Sequence, residues 1–152
     1  MKPFNVRASM KVKFRRIKKG DIGRLQKFYK ANGMNNAGSI SNSFLSKCVE
    51  SELKNYILFF IAEYENEIIG AVYFVDQGGL ITIWSLAVDK RYRNKGIGSK
   101  LVREGLKSLQ KKKRKMVSTI VDPRNTSVVQ MFDKLGFNKK RKRIRLDKFG
   151  KF

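Results

Sequence analysis

Leu80 to Val88 is an apolar run of strand length, and Ser99 to Gln110 carries Leu101, Val102, Leu106 and Leu109 at helical spacing. Arg93-Asn94-Lys95-Gly96-Ile97-Gly98 lies between them. A strand that passes through a two-glycine loop into a helix leaves few folds open. Met116 to Val121 is apolar again, so the unit continues as strand, helix, strand. Such a crossover places its two strands parallel and adjacent. Gly96 and Gly98 have no Cβ, so the backbone there turns tightly and approaches a ligand closely. The first-turn N–H groups of the helix have no partner within it, and its dipole favours negative charge. Lys90, Arg91 and Arg93 precede the loop. Cations beside a helix N-terminus oppose its dipole unless an anion lies between them. The expected ligand therefore bears a phosphate or pyrophosphate.

The rest of the chain extends this unit. Lys11 to Arg15 alternates polar and apolar residues, the period of a strand. Asp21 to Ala31 sets Ile22, Leu25, Phe28 and Tyr29 on one helical face, and Asn32-Gly33 ends it. Gly38 to Asn42 is a loop and N-cap before a second amphipathic helix bearing Phe44, Leu45, Cys48, Val49 and Leu53. Tyr56 to Tyr64 and Glu67 to Val75 read as a hairpin across Glu65-Asn66. Gln77-Gly78-Gly79 then turns into the strand from Leu80. Asn125 to Leu135 is the last helix, capped by Gly136, and a final basic strand follows Phe137. The order βααβββαβαβ implies an α/β (α+β) fold: a mixed, mostly antiparallel sheet flanked by about four helices. Residues 1–152 read as a single domain with a basic C-terminal segment at 139–152.

The chain has 35 Lys+Arg against 12 Asp+Glu, a formal charge of +23. That field attracts polyanions and repels polycations such as polyamines. The runs 111–115 and 139–145 are where nucleic acid or a ribosome would associate, unless they are only a solvated helix end and a basic edge strand. One cysteine excludes an internal disulfide, and with no histidine a metal site is not expected. Cys48, on an apolar helix face with no histidine to activate it, reads as a buried small hydrophobe. No apolar run approaches the roughly 20 residues that span a bilayer. No secretory signal is read at the N-terminus, so the expected compartment is the cytoplasm.

Neither common nucleotide loop fits. No Gly-Lys-Ser/Thr follows the glycines, and the third glycine of a dinucleotide fingerprint is replaced by Leu101. Leu86-Ala87-Val88-Asp89 followed by Arg91-Tyr92-Arg93-Asn94-Lys95-Gly96-Ile97-Gly98 resembles the acetyl-CoA motif of the GNAT superfamily of N-acetyltransferases. Downstream, Asn125, Val128, Phe132 and Gly136-Phe137 are similar to that family's second motif. The resemblance covers roughly residues 80 to 137. It implies a GNAT-like sheet whose parallel pair splays apart, and acetyl-CoA as cosubstrate. Leu86, Ala87 and Val88 would then pair with the pantetheine arm through their backbones. Arg93, Asn94, Lys95, Gly96, Ile97 and Gly98 would hold the pyrophosphate. Asn125 would contact the cofactor near the pantetheine or thioester, close to Phe132.

The resemblance breaks at Phe132, where the family commonly places a tyrosine that protonates the departing thiolate. Its usual base position corresponds to Trp84 or Ile120, neither of them basic, so the catalytic residues stay unassigned. Glu50 and Asp122 are the nearest carboxylate alternatives, beside a water chain. By fold analogy the segment Gly33 to Gly38 borders the acceptor site. The expected activity is acetyl transfer to an amine by direct attack in a ternary complex. The acceptor is a protein N-terminus or lysine, or an acidic or nucleic-acid-associated molecule, and the protein a monomer or homodimer. The rival reading is a catalytically weak or inactive CoA-binding module, or a basic nucleic-acid-binding protein.

Overall fold

The structure is a computed structural model that describes residues 10–34, 41–112 and 116–137. The chain divides into two compact units, residues 1–120 and 121–152. In the first, Lys13–Arg16 (β1), Ile57–Tyr64 (β2), Glu67–Asp76 (β3), Ile81–Val88 (β4) and Val117–Thr119 (β5) form one five-stranded sheet in that order. Its helices are Ile22–Ala31 (α1), Asn42–Leu53 (α2) and Ile97–Lys111 (α3). The second unit contains Thr126–Lys134 (α4). All sheet pairs are antiparallel except β4–β5, which is parallel, as the crossover rule requires. The strand expected after Phe137 lies outside the described residues. Among those residues, no helix is long and apolar enough to cross a membrane.

Local chemistry explains the boundaries. Ser41 caps α2, its hydroxyl accepting from the Phe44 N–H at 3.1 Å. Glu65 and Asn66 both take positive φ, 47° and 64°. Two such residues make the primed hairpin turn whose twist matches the flanking strands, without the usual Asn-Gly. Leu58 to Ala62 are five consecutive buried residues, since helices cover both faces of β2. On one face α1 and α2 pack Leu25, Phe28, Tyr29, Leu45 and Cys48 against Phe59, Ile61 and Ala71. On the other, α3 approaches β3 so closely that a Cβ on Gly105 would lie 2.1 Å from the Phe74 ring.

Polar groups in this core are paired where charge is buried. Arg15 bonds both oxygens of Asp21 at 2.7 and 2.8 Å and reaches Glu63 at 2.9 Å. Arg24 bonds Asp21 at 2.5 Å and Glu63 at 2.7 Å. Burial alone would raise the Asp21 carboxyl, but Arg15, the Lys18 N–H and Arg24 together hold it at about 2. Glu52, at the end of α2, accepts from the Phe59 N–H and from Arg16. Burial pushes its carboxyl up, and both donors pull the other way.

Candidate functional site

β4 parts from its neighbours at one point. Its register with β3 passes from Phe74↔Ile83 to Tyr73↔Ser85, so Trp84 is an extra residue, a β-bulge. On its other side β4 pairs with β5 only as Ile81↔Val117, Thr82↔Ser118 and Ile83↔Thr119. The expected strand 116–121 is therefore shorter, because the bulge turns β4 aside as the parallel pairing ends. β3 still holds Ser85 to Val88 along one edge. Among the described residues no strand pairs with the other edge. Backbone groups along such an edge need partners, and an extended, amide-bearing ligand supplies them as an added strand does. Leu86, Ala87 and Val88 are half-buried there.

The chain then turns sharply. Asp89 accepts from the Arg91 N–H at 2.9 Å and caps a single helical turn, Lys90–Tyr92. The Arg91 guanidinium returns to Asp89 at 3.1 Å and reaches Glu67 at 3.3 Å. Those Arg91 bonds hold the Asp89 carboxyl below its ordinary value, against burial. Asn32, at the end of α1, accepts from the Lys90 N–H at 3.3 Å and fixes the turn against the first helix. Arg93 Nε donates to the Val88 carbonyl at 3.0 Å. Arg91 is thus a structural cation, whereas Lys90, Arg93 and Lys95 enter no ion pair among the described residues.

Asn94 and Gly96 take positive φ, 58° and 79°. Nothing crowds the position of a Gly96 Cβ, so glycine serves the backbone conformation there rather than close packing. Gly96 is the N-cap of α3, and no side chain caps that end. The helix starts at Ile97 rather than Ser99, so Gly98 stands in its first turn. The free first-turn N–H groups are those of Ile97, Gly98 and Ser99. Ile97 itself is buried, so its side chain packs into the core and only its backbone is left for a ligand to reach. The fold thus brings Leu86, Ala87, Val88, Arg93, Asn94, Lys95, Gly96, Ile97 and Gly98 to the end of β4 and the start of α3.

Asn125 and Phe132 belong to the second unit. Asn125 caps α4, its Oδ1 accepting from the Val128 N–H at 3.4 Å and from Ser127 Oγ at 3.2 Å. Phe132 is buried and meets Phe137 edge-on with centroids 5.0 Å apart. Of the two carboxylates considered as bases, Glu50 is exposed on α2. Asp122 is bound to Arg124 at 2.7 Å, which holds its carboxyl low. Cys48 is 1% exposed, and burial pushes its thiol up to about 11, as its apolar helix face implied. Residues 35–40 of the expected acceptor segment lie outside the described residues, and Met34 packs on the α1–α2 core. Sequence reasoning missed the bulge at Trp84 and the Asp89 cap. An aspartate before a basic run was the available signal for the cap.

A model of the acetyltransferase (GNAT) family matches residues 35–137. No curated protein matches the chain. Among solved structures, the chain is similar to PaiA N-acetyltransferase from Thermoplasma acidophilum in complex with coenzyme A. That pair shares 21% identity and a TM-score of 0.76 over 85% of this chain and 91% of the other. An aminoglycoside acetyltransferase from an uncultured soil metagenomic sample gives 21% identity and a TM-score of 0.75 over 92% and 97%. A ribosomal-protein-alanine N-acetyltransferase from Brucella melitensis gives 16% and 0.72 over 83% and 84%. At these identities the likeness is one of fold.

Proposed function

The chain belongs to the acetyltransferase (GNAT) family, and we propose that it moves an acetyl group from acetyl-CoA to an amine in a ternary complex. The observation that carries this reading is the parting of β4 from β5 after Ile83 and Thr119, beside an α3 N-terminus that no side chain caps. These residues suit acetyl-CoA. Leu86, Ala87 and Val88 offer strand-edge groups to its amide-bearing arm. The N–H groups of Ile97, Gly98 and Ser99, with Arg93 and Lys95, offer donors and positive charge to its pyrophosphate. When bound, acetyl-CoA would supply a thioester carbonyl: the amine forms the C–N bond as the C–S bond breaks, the amine proton passes to water, and CoA leaves as a thiolate that takes a proton from water.

The chain's own residues contribute mainly position. Holding an amine against the thioester is worth about 7–11 kcal/mol of barrier. Proton transfer by a placed side chain adds typically about 10²–10⁴-fold. Phe132 takes the place of the family's acid with no proton to give. Positioning therefore outweighs the missing acid. The acceptor is a protein amine, a class the ribosomal-protein-alanine N-acetyltransferase among the similar folds also serves. The charge of +23 favours a protein that is acidic or bound to nucleic acid.

Calorimetric titration with acetyl-CoA, followed by a CoA-release assay on peptide and RNA pools, tests this reading. Saturable binding and transfer to an amine are expected. Absence of binding overturns it. Binding without transfer to any pool favours the rival reading of an inactive CoA-binding module, which rests on Phe132. The Phe132→Tyr variant should raise kcat about 10-fold near neutral pH if proton delivery limits the step.

A further inference from the structure

The point where β4 and β5 part carries apolar side chains instead of charge. Trp84 is the bulged residue, and Ile120 follows the last paired residue of β5. Each directly follows the last paired couple, Ile83↔Thr119, with Trp84 on β4 and Ile120 just beyond β5. Trp84 is 59% and Ile120 62% exposed, on a chain of formal charge +23. Exposed large apolar groups side by side mark a contact surface. The other exposed ones, Leu53, Tyr56, Leu80 and Met116, lie at the end of α2, in the α2–β2 connection or at the opposite strand ends. Trp84 and Ile120 instead border the open β4 edge.

We propose that Trp84 and Ile120 select the acceptor: the α-amine of a polypeptide whose first residue has a large apolar side chain. The inference rests on the acetyltransferase reading and deepens it. Two physical arguments favour an α-amine over a lysine. Neither Trp84 nor Ile120 can remove a proton, so the acceptor must arrive partly neutral. At pH 7.5 about a third of an α-amine is neutral, against about 0.1% of a lysine side chain. The second argument is distance. In an N-terminal residue the apolar side chain springs from the carbon that bears the amine. The amine can then enter the parted strands while the side chain packs on Trp84 and Ile120. A lysine amine stands four methylenes from its own backbone. Tryptophan is also, with tyrosine and arginine, enriched at the energetic centre of interfaces.

Trp84 is the single tryptophan of the chain, so its fluorescence reports contact directly. The protein is titrated, without acetyl-CoA, with peptides that differ only in their first residue, Leu or Ser. A third peptide has a blocked N-terminus and one internal lysine. The Leu-first peptide should change Trp84 emission and bind at least 10-fold tighter than the other two. With acetyl-CoA present, kcat/KM should favour it by a similar factor. Trp84→Ala and Ile120→Ser, both exposed substitutions, should bring that ratio toward one. Equal binding of the Leu-first and Ser-first peptides, or a ratio that survives both substitutions, overturns the proposal. Transfer to the blocked peptide's lysine at the rate of the α-amine also overturns it. Failure of the acetyltransferase reading looks different: no peptide is acetylated although acetyl-CoA binds.

Discussion

At the β1–α1 corner, Arg15, Arg24, Asp21 and Glu63 satisfy one another within 2.5–2.9 Å. At the far side of the same sheet, among the described residues, Ser85 to Val88 have no strand on one edge and α3 starts without a side-chain cap. The first region spends its polar capacity on holding the fold. The second keeps its capacity for something that arrives. Leu86 to Val88 are half-buried, so their free backbone groups can bond water until an extended ligand replaces it. Removing a group from the first region should therefore cost stability, and altering the second should cost affinity.

The largest effect is expected from Asp21→Asn. It leaves two guanidinium groups facing a neutral amide, and breaking a buried pair costs about 3 kcal/mol. Urea unfolding at neutral pH should show that loss, while the folded fraction keeps its acetyl-CoA affinity within a factor of two. An affinity loss that matched the stability loss would erase the contrast between the regions. Gly105→Ala comes next, with a Cβ driven into the buried Phe74 ring. Overpacking of this kind costs about 1–3 kcal/mol, again measured by urea unfolding.

Gly96→Val should show the opposite pattern. Its φ of 79° strains any residue with a Cβ, at about 1–2 kcal/mol. Acetyl-CoA affinity should fall at least about 10-fold by calorimetry as the first-turn N–H groups move, a further 1.4 kcal/mol. Affinity equal to wild type would sink the assignment of this loop to the pyrophosphate.

A smaller effect should come from acid. The Asp21 carboxyl is held at about 2, and Glu63 is also held low, against burial, by Arg24 and Arg15. A carboxylate depressed in the folded state contributes stability above its unfolded value near 4. That contribution disappears as pH falls toward 2. Asp21 alone should contribute about 1–2 kcal/mol over this window, and the Asp21→Asn variant should show a shallower acid slope. The smallest effect is at Cys48. With its thiol pushed up to about 11, it should resist alkylation at pH 8 in native protein and react promptly in urea.

The periodicity of Ile22, Leu25, Phe28 and Tyr29 placed α1, the alternation of Lys11 to Arg15 placed β1, and the apolar runs placed β2, β3 and β4, because burying those faces needs no information from elsewhere in the chain. The glycine loop was equally legible. Positive φ at Gly96 and an uncapped helix start are local consequences of local residues. The hairpin at Glu65-Asn66 was found from its flanks alone, since its turn residues are not the favoured pair. Short β5 was overextended because the apolar run continues through Ile120 and Val121 after the pairing stops at Thr119.

The sequence by itself determined a βαβ crossover with a glycine loop between its first strand and its helix. Tertiary structure decided that β4 bulges at Trp84 and leaves β5 after Ile83. It also decided that Arg91 belongs to Asp89 while Arg93 reaches back to Val88. Register between strands and the partner chosen by a guanidinium depend on residues far apart in the chain. Periodicity reports only how one segment faces its own surroundings, so it carries neither.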